Sequence, residues 1–229
     1  MKIIILSVIW YLISGISVFA ADQNYAVWFS PVRNRNIWRA GNNFRYLVDQ
    51  KNLLDKYSVP NTWLVQYDTL SDPAVTEPLA NIKSSDEIGL FMEVSKDWAW
   101  DSFVNYDYLS EKWERADKLF LSGYRLPDRN KLIDQAFTKF KLVYGYFPKT
   151  VGAWHIDSYS LQYMKSKYQI TSVLGLADQY LTDGYQVWGQ YIGQPYYPDI
   201  RSIIEPAESP QTKLNLVKFQ WAPRHPLLG

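Results

Sequence analysis

KTVGAWHIDSYSLQYMKSKYQITSVLGLADQYLTDGYQVWGQYIGQPYYP, residues 149–198, contains the pattern that decides the fold. The apolar run from Thr150 to Ile156 predicts one buried strand, and the run from Thr171 to Ala177 predicts another. Between these runs, Asp157 or Ser158 can cap a helix whose apolar residues recur at helical spacing. A strand, a helix and a second strand in this order predict a parallel βαβ unit.

Polar side chains follow both strands of this unit. His155 and Asp157 come at the end of the first strand, and Asp178 and Gln179 come at the end of the second. In α/β folds, chemistry is done just past the carboxyl ends of the strands. We therefore assign His155, Asp157 and Asp178 as candidate catalytic residues and Gln179 as a substrate-binding residue. The competing explanations are a helix cap for Asp157 and a structural role for the lone histidine.

The loop that follows, residues 180–198, is unusually aromatic. The whole chain is 17% aromatic, with ten Trp and eighteen Tyr. Aromatic faces can stack on the apolar C–H faces of sugar rings, and a large aromatic core is the equally open alternative. We expect the loop to bind substrate through Trp188, Tyr191, Tyr196 and Tyr197.

Composition narrows the class of protein. The chain has 229 residues, 47% of them hydrophobic, which suits one domain of barrel size or two small ones. A net charge of +1 argues against a nucleic-acid partner. There is no cysteine, which excludes disulfides and thiolate chemistry, and no motif indicates a cofactor.

The amino terminus has the pattern of a signal peptide. Lys2 precedes a mostly apolar run, Ile3 to Val18, and Val18-Phe19-Ala20 fits the small-residue cleavage rule. We expect cleavage after Ala20, which leaves a secreted or periplasmic domain, residues 21–229, without a stable membrane span. An uncleaved anchor is the alternative, although the run is shorter than the roughly 20 residues of a spanning helix. The chain ends soon after a strand, which leaves truncation at the carboxyl terminus open.

Further apolar runs complete the predicted sheet. Beyond the central unit, strands are predicted at Tyr25–Ser30, Thr62–Tyr67, Glu87–Val94, Ser202–Glu205 and Leu214–Trp221. Pro31 is expected to stop the first of these. A helix is predicted over Asn130–Tyr144, and Ser95–Arg129 is expected to be a lid or an elaborated loop. Seven strands with intervening helices predict an α/β fold, an irregular (β/α)7-type barrel in a single domain.

Glu93 is the most informative carboxylate. Strand alternation places Gly89, Phe91, Glu93 and Ser95 on one face, and the small Gly89 suits the crowded interior of a barrel. Desolvation there would raise the pKa of Glu93, so we expect a protonated general acid, with Asp157 or Asp178 as its ionised partner. A solvent-facing Glu93 is the alternative. Other residues at strand ends would bind substrate at the same mouth: Arg33, Gln66, Asp68 and Trp221.

Three stretches resemble a known family. The order of elements, together with NTWLVQY (61–67), DEIGLFMEV (86–94) and PKTVGAWHIDSYSLQYMKSKYQI (148–170), resembles the glycoside hydrolase/deacetylase superfamily. The nearest members are the polysaccharide deacetylase (NodB-like) barrels. The resemblance covers roughly Tyr25 to Trp221, and it implies a carbohydrate-active barrel.

The metal motifs of that family are missing. The family places an Asp-Asp pair after the first strand, where this chain reads Ser30-Pro31-Val32-Arg33. It places two histidines after the third strand, where this chain has Glu93 and Ser95. The two histidines present, His155 and His225, are 70 positions apart. We therefore expect no metal site of that kind.

Three hypotheses for function remain. The first is an exported hydrolase that acts on a polysaccharide or oligosaccharide through paired carboxylates. The second is a deacetylase-like enzyme with a metal-free or remodelled site. The third is a catalytically dead barrel that only binds glycan through its aromatic residues. The sequence leaves the sugar, the linkage and the oligomeric state open.

Overall fold

The computed structural model describes residues 27–34, 43–107, 115–176 and 194–221. These residues form one parallel sheet whose strands pair in chain order. The strands are β1 (Phe29–Val32), β2 (Thr62–Gln66), β3 (Glu87–Phe91), β4 (Thr150–Ala153), β5 (Ser172–Leu176) and β6 (Val217–Trp221). The sheet curls into a half-barrel wrapped by helices, which confirms the predicted α/β barrel class. Because every neighbouring pair of strands is parallel, the carboxyl ends of all six strands lie at one rim.

Helices connect most of the strands. They are α1 (Arg45–Lys56), α2 (Pro73–Leu79), α3 (Lys96–Asp101), α4 (Ala116–Leu119), α5 (Leu126–Tyr144) and α6 (Ser158–Tyr168). Four of them have a local signal to start or stop. Asp72, Ser95 and Asp157 accept hydrogen bonds from backbone N–H groups at the starts of α2, α3 and α6. Gly145 ends α5 in the left-handed conformation that favours glycine.

Strand alternation divides the core into two parts. Outward side chains pack under the helices in the larger cluster, which includes Trp63, Val65, Ile88, Leu90, Val151 and Val173. Inward side chains form a smaller aromatic cluster, which we call the inner cluster. Its members are Phe29, Leu64, Phe91, Leu119, Phe120, Trp154, Leu174 and Phe219. Leu90, Met92 and Val94 belong to the larger cluster and Phe91 to the inner cluster, so the predicted alternation of faces along this segment is confirmed.

The interior is too crowded for larger side chains at two glycines. A Cβ atom on Gly89 would clash with the Thr150 carbonyl oxygen, and one on Gly152 would clash with the Leu64 side chain. Leu64 fills the space that both glycines leave. The prediction that Gly89 faces a crowded interior is confirmed.

Two details of the predicted strands were wrong. Ser202–Glu205 forms turns rather than a seventh strand, with the Glu205 N–H donating to the Ser202 carbonyl within the segment. The segment lies within residues 194–216, of which Tyr196 forms an isolated antiparallel bridge with Lys218 of β6. Pro31 lies inside β1 instead of stopping it. It is tolerated because β1 is at the end of the strand order, where one edge needs no N–H donor.

The long segment after β3 is an elaborated connection. Residues 95–129 contain α3, α4, a 3-10 turn and the start of α5, with residues 108–114 outside the described part. The Trp98 indole N–H donates to the Leu132 carbonyl at 2.9 Å, which ties α3 to α5. Across the described ranges, none of the helices has both the length and the apolar character needed to cross a membrane.

Candidate functional site

The first three strands bring four predicted residues to one rim. Arg33 follows β1, Gln66 ends β2, and Asp68 and Glu93 lie two residues beyond β2 and β3. Parallel strands in register place these positions side by side, since Val32 is opposite Val65 and Gln66 is opposite Phe91. The four residues therefore form one site at the carboxyl end of the half-barrel.

Glu93 is held by an ion pair and an indole. Its side chain is 1% exposed. The Arg33 Nη2 group donates to Glu93 Oε1 at 2.9 Å, and Arg33 Nε lies 2.9 Å from Oε2. The Trp154 Nε1–H group donates to Oε2 at 2.7 Å. A carboxylate between a guanidinium and an indole donor is stabilised as the anion, so this geometry does not suit the proton-donor role predicted from the sequence.

The guanidinium of Arg33 is positioned by Trp154 as well. Its central carbon lies 5.1 Å from the centre of the indole ring, within the range of a cation–π contact. Trp154 in turn packs edge-on against Phe91 at 5.3 Å. The inner cluster therefore fixes the orientation of both partners of the ion pair.

Asp68 has a different environment from Glu93. Its two carboxyl oxygens accept hydrogen bonds from the Ser95 hydroxyl and the Asn34 side-chain amide. Burial raises the pKa of Asp68 and outweighs both hydrogen bonds, with a smaller contribution from the negative charge of Asp97. Asp68 is therefore a carboxyl group of the site whose surroundings favour the protonated form.

Gln66 links the ends of β1 and β3. Its side-chain carbonyl accepts a hydrogen bond from the Asn34 backbone N–H at 2.7 Å, and its amide donates to the Glu93 carbonyl oxygen at 3.2 Å. The side chain is 1% exposed and thus has a single orientation. It sets the spacing between the segments that carry Arg33 and Glu93.

A pocket of about 250 Å³ opens at this rim. Asp68 and Glu93 both line it, and the other polar residues around it are Asn34, Gln66, Ser95, Lys96, Asp97 and Tyr106. A concave site with few, fixed polar groups is the usual form of a small-molecule or sugar subsite. The pocket is therefore where substrate chemistry would take place.

His155 and Asp157 lie at the end of β4 and do not line this pocket. The His155 ring lies 5.8 Å from the ring of Phe120, and burial lowers the pKa of His155 while the Asp157 charge opposes that shift. Asp157 caps α6 by accepting from the Ser160 N–H at 3.0 Å, and it pairs with Arg129 at 2.9 Å. The structure thus gives Asp157 the capping contacts that were the alternative to catalysis.

The remaining predicted residues are dispersed or undescribed. The Tyr196 hydroxyl donates to the Ile203 carbonyl at 3.0 Å in a buried position. Tyr197 is 46% exposed, with the Lys213 ammonium 4.7 Å from its ring centre. Trp221 ends β6, and its side chain is outside the described part of the structure. Four predicted residues fall outside the described ranges: Asp178, Gln179, Trp188 and Tyr191.

Three residues of the site were missed in the sequence. Trp154 has no local signal of a role in the site, and only the fold shows that its indole reaches Glu93, 61 positions away. Asn34 follows Arg33 in an arginine-rich loop that has no regular pattern. Ser95 had a usable signal, because a serine before KDWAW is a typical helix N-cap.

The residues at this rim do not fit a divalent metal. Within the ranges that the structure describes, no group of three or more His, Cys, Asp or Glu side chains is arranged to hold an ion. The end of β1 supplies a cation, Arg33, directly against the Glu93 carboxylate. A second positive charge at that carboxylate would be repelled by the guanidinium.

The molecule is an α/β half-barrel with a carboxylate pocket at the carboxyl ends of its first three strands, and it is similar to solved structures. A candidate glycoside hydrolase/deacetylase from Parabacteroides distasonis matches over 85% of this chain and 44% of its own, with 13% identity and a TM-score of 0.53. A candidate polysaccharide deacetylase from Mycobacterium smegmatis matches over 79% of this chain and 47% of its own, with 15% identity and a TM-score of 0.47.

The chain thus spans less than half the length of either protein. At this identity, the likeness to the first protein shows the fold alone, and it confirms the predicted resemblance at that level. No protein-family model matches the chain, and no curated protein matches its sequence.

Proposed function

We propose that this protein is an exported, carbohydrate-active hydrolase that cleaves a polysaccharide or oligosaccharide by carboxylate acid/base chemistry. The observation that carries the proposal is the pair Asp68 and Glu93, two carboxyl groups facing one pocket in opposite electrostatic environments. Asp68 is desolvated, whereas Glu93 is paired with a guanidinium. Two carboxyl groups whose environments favour opposite protonation states are what hydrolysis of a glycosidic bond requires.

The roles follow from those environments. Asp68, with its raised pKa, protonates the leaving oxygen of the scissile bond. Glu93 remains ionised and acts on the anomeric side, either directly or through a water molecule. Arg33 and Trp154 are positioning residues, because they hold the Glu93 carboxylate in one orientation.

Export is supported by the amino-terminal pattern alone. Lys2, the apolar run to Val18 and the Val18-Phe19-Ala20 sequence together favour cleavage after Ala20. Sequencing the amino terminus of the secreted protein should give Ala21 as the first residue, and a mature protein that keeps Met1 would contradict export by this route.

Asp68→Asn tests the chemistry. The variant keeps the shape of the side chain and its contact with Ser95, but it cannot donate the proton. We expect turnover to fall by about 10²–10⁴-fold, measured as release of reducing sugar or acetate from a substrate panel. Asp49→Asn is the matched control, because Asp49 is an exposed carboxylate on α1 and lies outside the pocket. Equal turnover in wild type and Asp68→Asn, with glycan binding intact, excludes Asp68 as the acid.

A glycan-binding barrel without catalysis is the second candidate. The observation that favours it is the tight pairing of Glu93 with Arg33, which neutralises the carboxylate that hydrolysis would use. Under this alternative, wild-type protein binds oligosaccharides by calorimetry and releases no product from any member of the panel. Under the same alternative, Glu93→Gln changes glycan binding and folding stability, and neither protein releases product.

A further inference from the structure

The end of α3 carries an unusual residue at its cap. Phe103 has a φ of 54°, in the left-handed region, and its side chain is 91% exposed. The Val104 N–H donates to the Ala99 carbonyl at 2.9 Å and the Phe103 N–H donates to the Trp100 carbonyl at 3.0 Å. These two bonds define a Schellman cap, and Phe103 occupies the position that usually belongs to glycine.

Packing does not explain a phenylalanine at this position. Val104 and Ala99, the apolar pair of the cap, are 6% and 0% exposed and secure the turn from below. Glycine would adopt the same backbone without the roughly 1–2 kcal/mol strain of a left-handed residue that carries a side chain. The exposed ring therefore adds nothing to the stability of the fold, and strain of this kind is found at functional positions.

A second exposed ring lies in the last turn of α3. Trp100 is 72% exposed and stands one turn after Lys96. Lys96 and Asp97 line the pocket at the strand ends. Residues four apart are neighbours on a helix surface, so Trp100 follows Lys96 on one face of α3. Phe103 comes three residues after Trp100, just past the end of the helix, so both exposed rings belong to the end of α3 that follows the pocket-lining turn.

The charged residues near the two rings indicate which class of ligand they would bind. The segment from Lys96 to Asp107 carries three aspartates and one lysine, which disfavours an anionic lipid surface. Charged carboxylates are also depleted in the cores of protein–protein interfaces. An uncharged polyhydroxyl chain suits both features, because its C–H faces stack on the rings and its hydroxyl groups can donate to the exposed Asp97 carboxylate. The other two aspartates are engaged within the protein, Asp101 by the Tyr67 hydroxyl and Asp107 by Arg115.

We propose that Trp100 and Phe103 form an accessory platform that binds an extended neutral polysaccharide as it leaves the pocket. This inference rests on the proposed function and specifies its substrate as a polymer longer than the pocket itself. The platform adds a second point of attachment, and linked attachments raise the affinity for a long chain far more than for a short one.

Three variants and one control test the platform. Phe103→Gly removes the ring and the strain, Phe103→Leu removes the ring and keeps the strained backbone, and Trp100→Ala removes the second ring. Leu142→Ala is the matched control, because Leu142 is an 81% exposed apolar residue near the end of α5, two residues before its last residue, Tyr144. The probes are three neutral polysaccharides, a β-glucan, a xylan and a mannan, each cast in a native gel in which binding slows migration of the protein. Trisaccharides of the same sugars are used for calorimetry.

We expect each platform variant to bind the polysaccharide that slows wild-type migration roughly tenfold more weakly than wild type does. The affinity for the trisaccharide should change less. Phe103→Gly should at the same time unfold at a higher urea concentration than wild type, whereas Phe103→Leu should not. Leu142→Ala should migrate as wild type does. A gain in stability together with a loss of polymer binding is the result that a purely structural Phe103 would not give.

If the platform variants are slowed by the polysaccharide as much as wild type is, the inference is overturned. It is also overturned if the variants lose binding to anionic lipid vesicles, or lose self-association, while polysaccharide binding is unchanged. The proposed hydrolase is judged separately, by product release from trisaccharides. Product release without retardation by any polysaccharide overturns the platform only. Retardation that depends on the rings, with no product from any substrate, supports the platform and overturns the hydrolase. If no polysaccharide slows the protein and no substrate gives product, both the platform and the hydrolase are overturned.

Discussion

The Arg33–Glu93 ion pair is asymmetric in burial. The Glu93 side chain is 1% exposed and that of Arg33 is 13% exposed. Arg33→Met leaves a carboxylate deep in the protein without its guanidinium, and we expect a loss of about 3 kcal/mol in unfolding free energy. Glu93→Gln should cost less, because the guanidinium that remains is nearer to water. Urea denaturation of both variants measures the difference.

The double variant Arg33→Met/Glu93→Gln is the control for this prediction. If the two groups are coupled, its loss is smaller than the sum of the single losses by at least about 1 kcal/mol. Strictly additive losses would mean that the guanidinium contributes to folding through other contacts, and that Glu93 does not depend on it.

Lys218 is a buried cation on the outer side of β6. It is 3% exposed, and its ammonium group donates to the Ile203 carbonyl at 2.9 Å with the Tyr196 ring centre 5.7 Å away. Gly175 leaves room for its side chain on the neighbouring strand. Burial lowers the pKa of Lys218 to about 8, because the charged form loses its hydration.

Lys218 makes folding stability depend on pH. Between about pH 8 and 10.5, Lys218 is protonated in the unfolded chain and neutral in the folded protein. The free-energy cost of burying its charge is therefore full below about pH 8 and shrinks as the pH rises through this range. The full difference is at most about 3 kcal/mol. Lys218→Met should be more stable than wild type at pH 7, and the gap should narrow by pH 9.5. Urea midpoints at both values measure it.

The comparison with Lys218→Met isolates this lysine. Burial raises the pKa values of Tyr67 and Tyr144, and these tyrosines titrate in wild type and variant alike. A gap that stays constant from pH 7 to pH 9.5 would show that Lys218 keeps its charge throughout and finds hydration in the folded protein.

At the residue scale, the sequence predicted which way side chains point better than it predicted which residues they contact. Gly89 and Phe91 indicated that Glu93 faces inward, because alternation along a strand is a local property. The partners of Glu93, Arg33 and Trp154, lie 60 and 61 positions away, directly after β1 and directly after β4. Nothing in the local sequence specifies such contacts. The prediction of a protonated Glu93 was therefore made without the Arg33 guanidinium, whose positive charge favours the ionised form.

The start of α6 gives a prediction at the scale of one element. Asp157 accepts from the Ser160 N–H at 3.0 Å and from the Ser160 hydroxyl at 2.7 Å, and it pairs with Arg129. Asp157→Ala should lower unfolding free energy by about 1–2 kcal/mol, since it removes the cap and the ion pair. Asp157→Ser retains a capping oxygen and should lose less. Thermal unfolding measures both.

Turnover of the same two variants tests the catalytic assignment made from the sequence. If Asp157 only caps α6, turnover falls far less in Asp157→Ser than in Asp68→Asn. Loss of turnover by more than about 10²-fold in a folded Asp157→Ser protein would instead show that this carboxylate takes part in the chemistry.

At the element scale, long apolar runs were predicted well and short ones were not. The βαβ unit over residues 150–176 was recognisable because both runs are apolar and a cap stands between them. Ser202–Glu205 has only two apolar residues before Glu205 and Pro206, so its strand assignment depended on tertiary pairing that the fold does not supply. Pro31 was misjudged because the edge position of β1 is a property of the whole sheet.

At the scale of the molecule, the site depends on how the half-barrel is closed. Within the described strands, β1 pairs with β2 alone, and no hydrogen-bonded ladder joins β1 to β6. The two edges meet through side chains, with the rings of Phe29 and Phe219 5.4 Å apart. Since β1 has four residues and leads directly into Arg33, this aromatic contact helps to set the position of the ion pair.

Phe219→Ala should therefore affect stability and activity together. Removing the ring leaves a cavity in the inner cluster, and we expect a loss of about 2–4 kcal/mol in unfolding free energy by urea denaturation. Phe219→Leu keeps most of the apolar volume and should lose less than about 1.5 kcal/mol. Turnover, assayed where both proteins are fully folded, should fall in the alanine variant only, because a displaced β1 carries Arg33 away from Glu93. Full turnover in a destabilised Phe219→Ala protein would show that pairing with β2 alone positions β1.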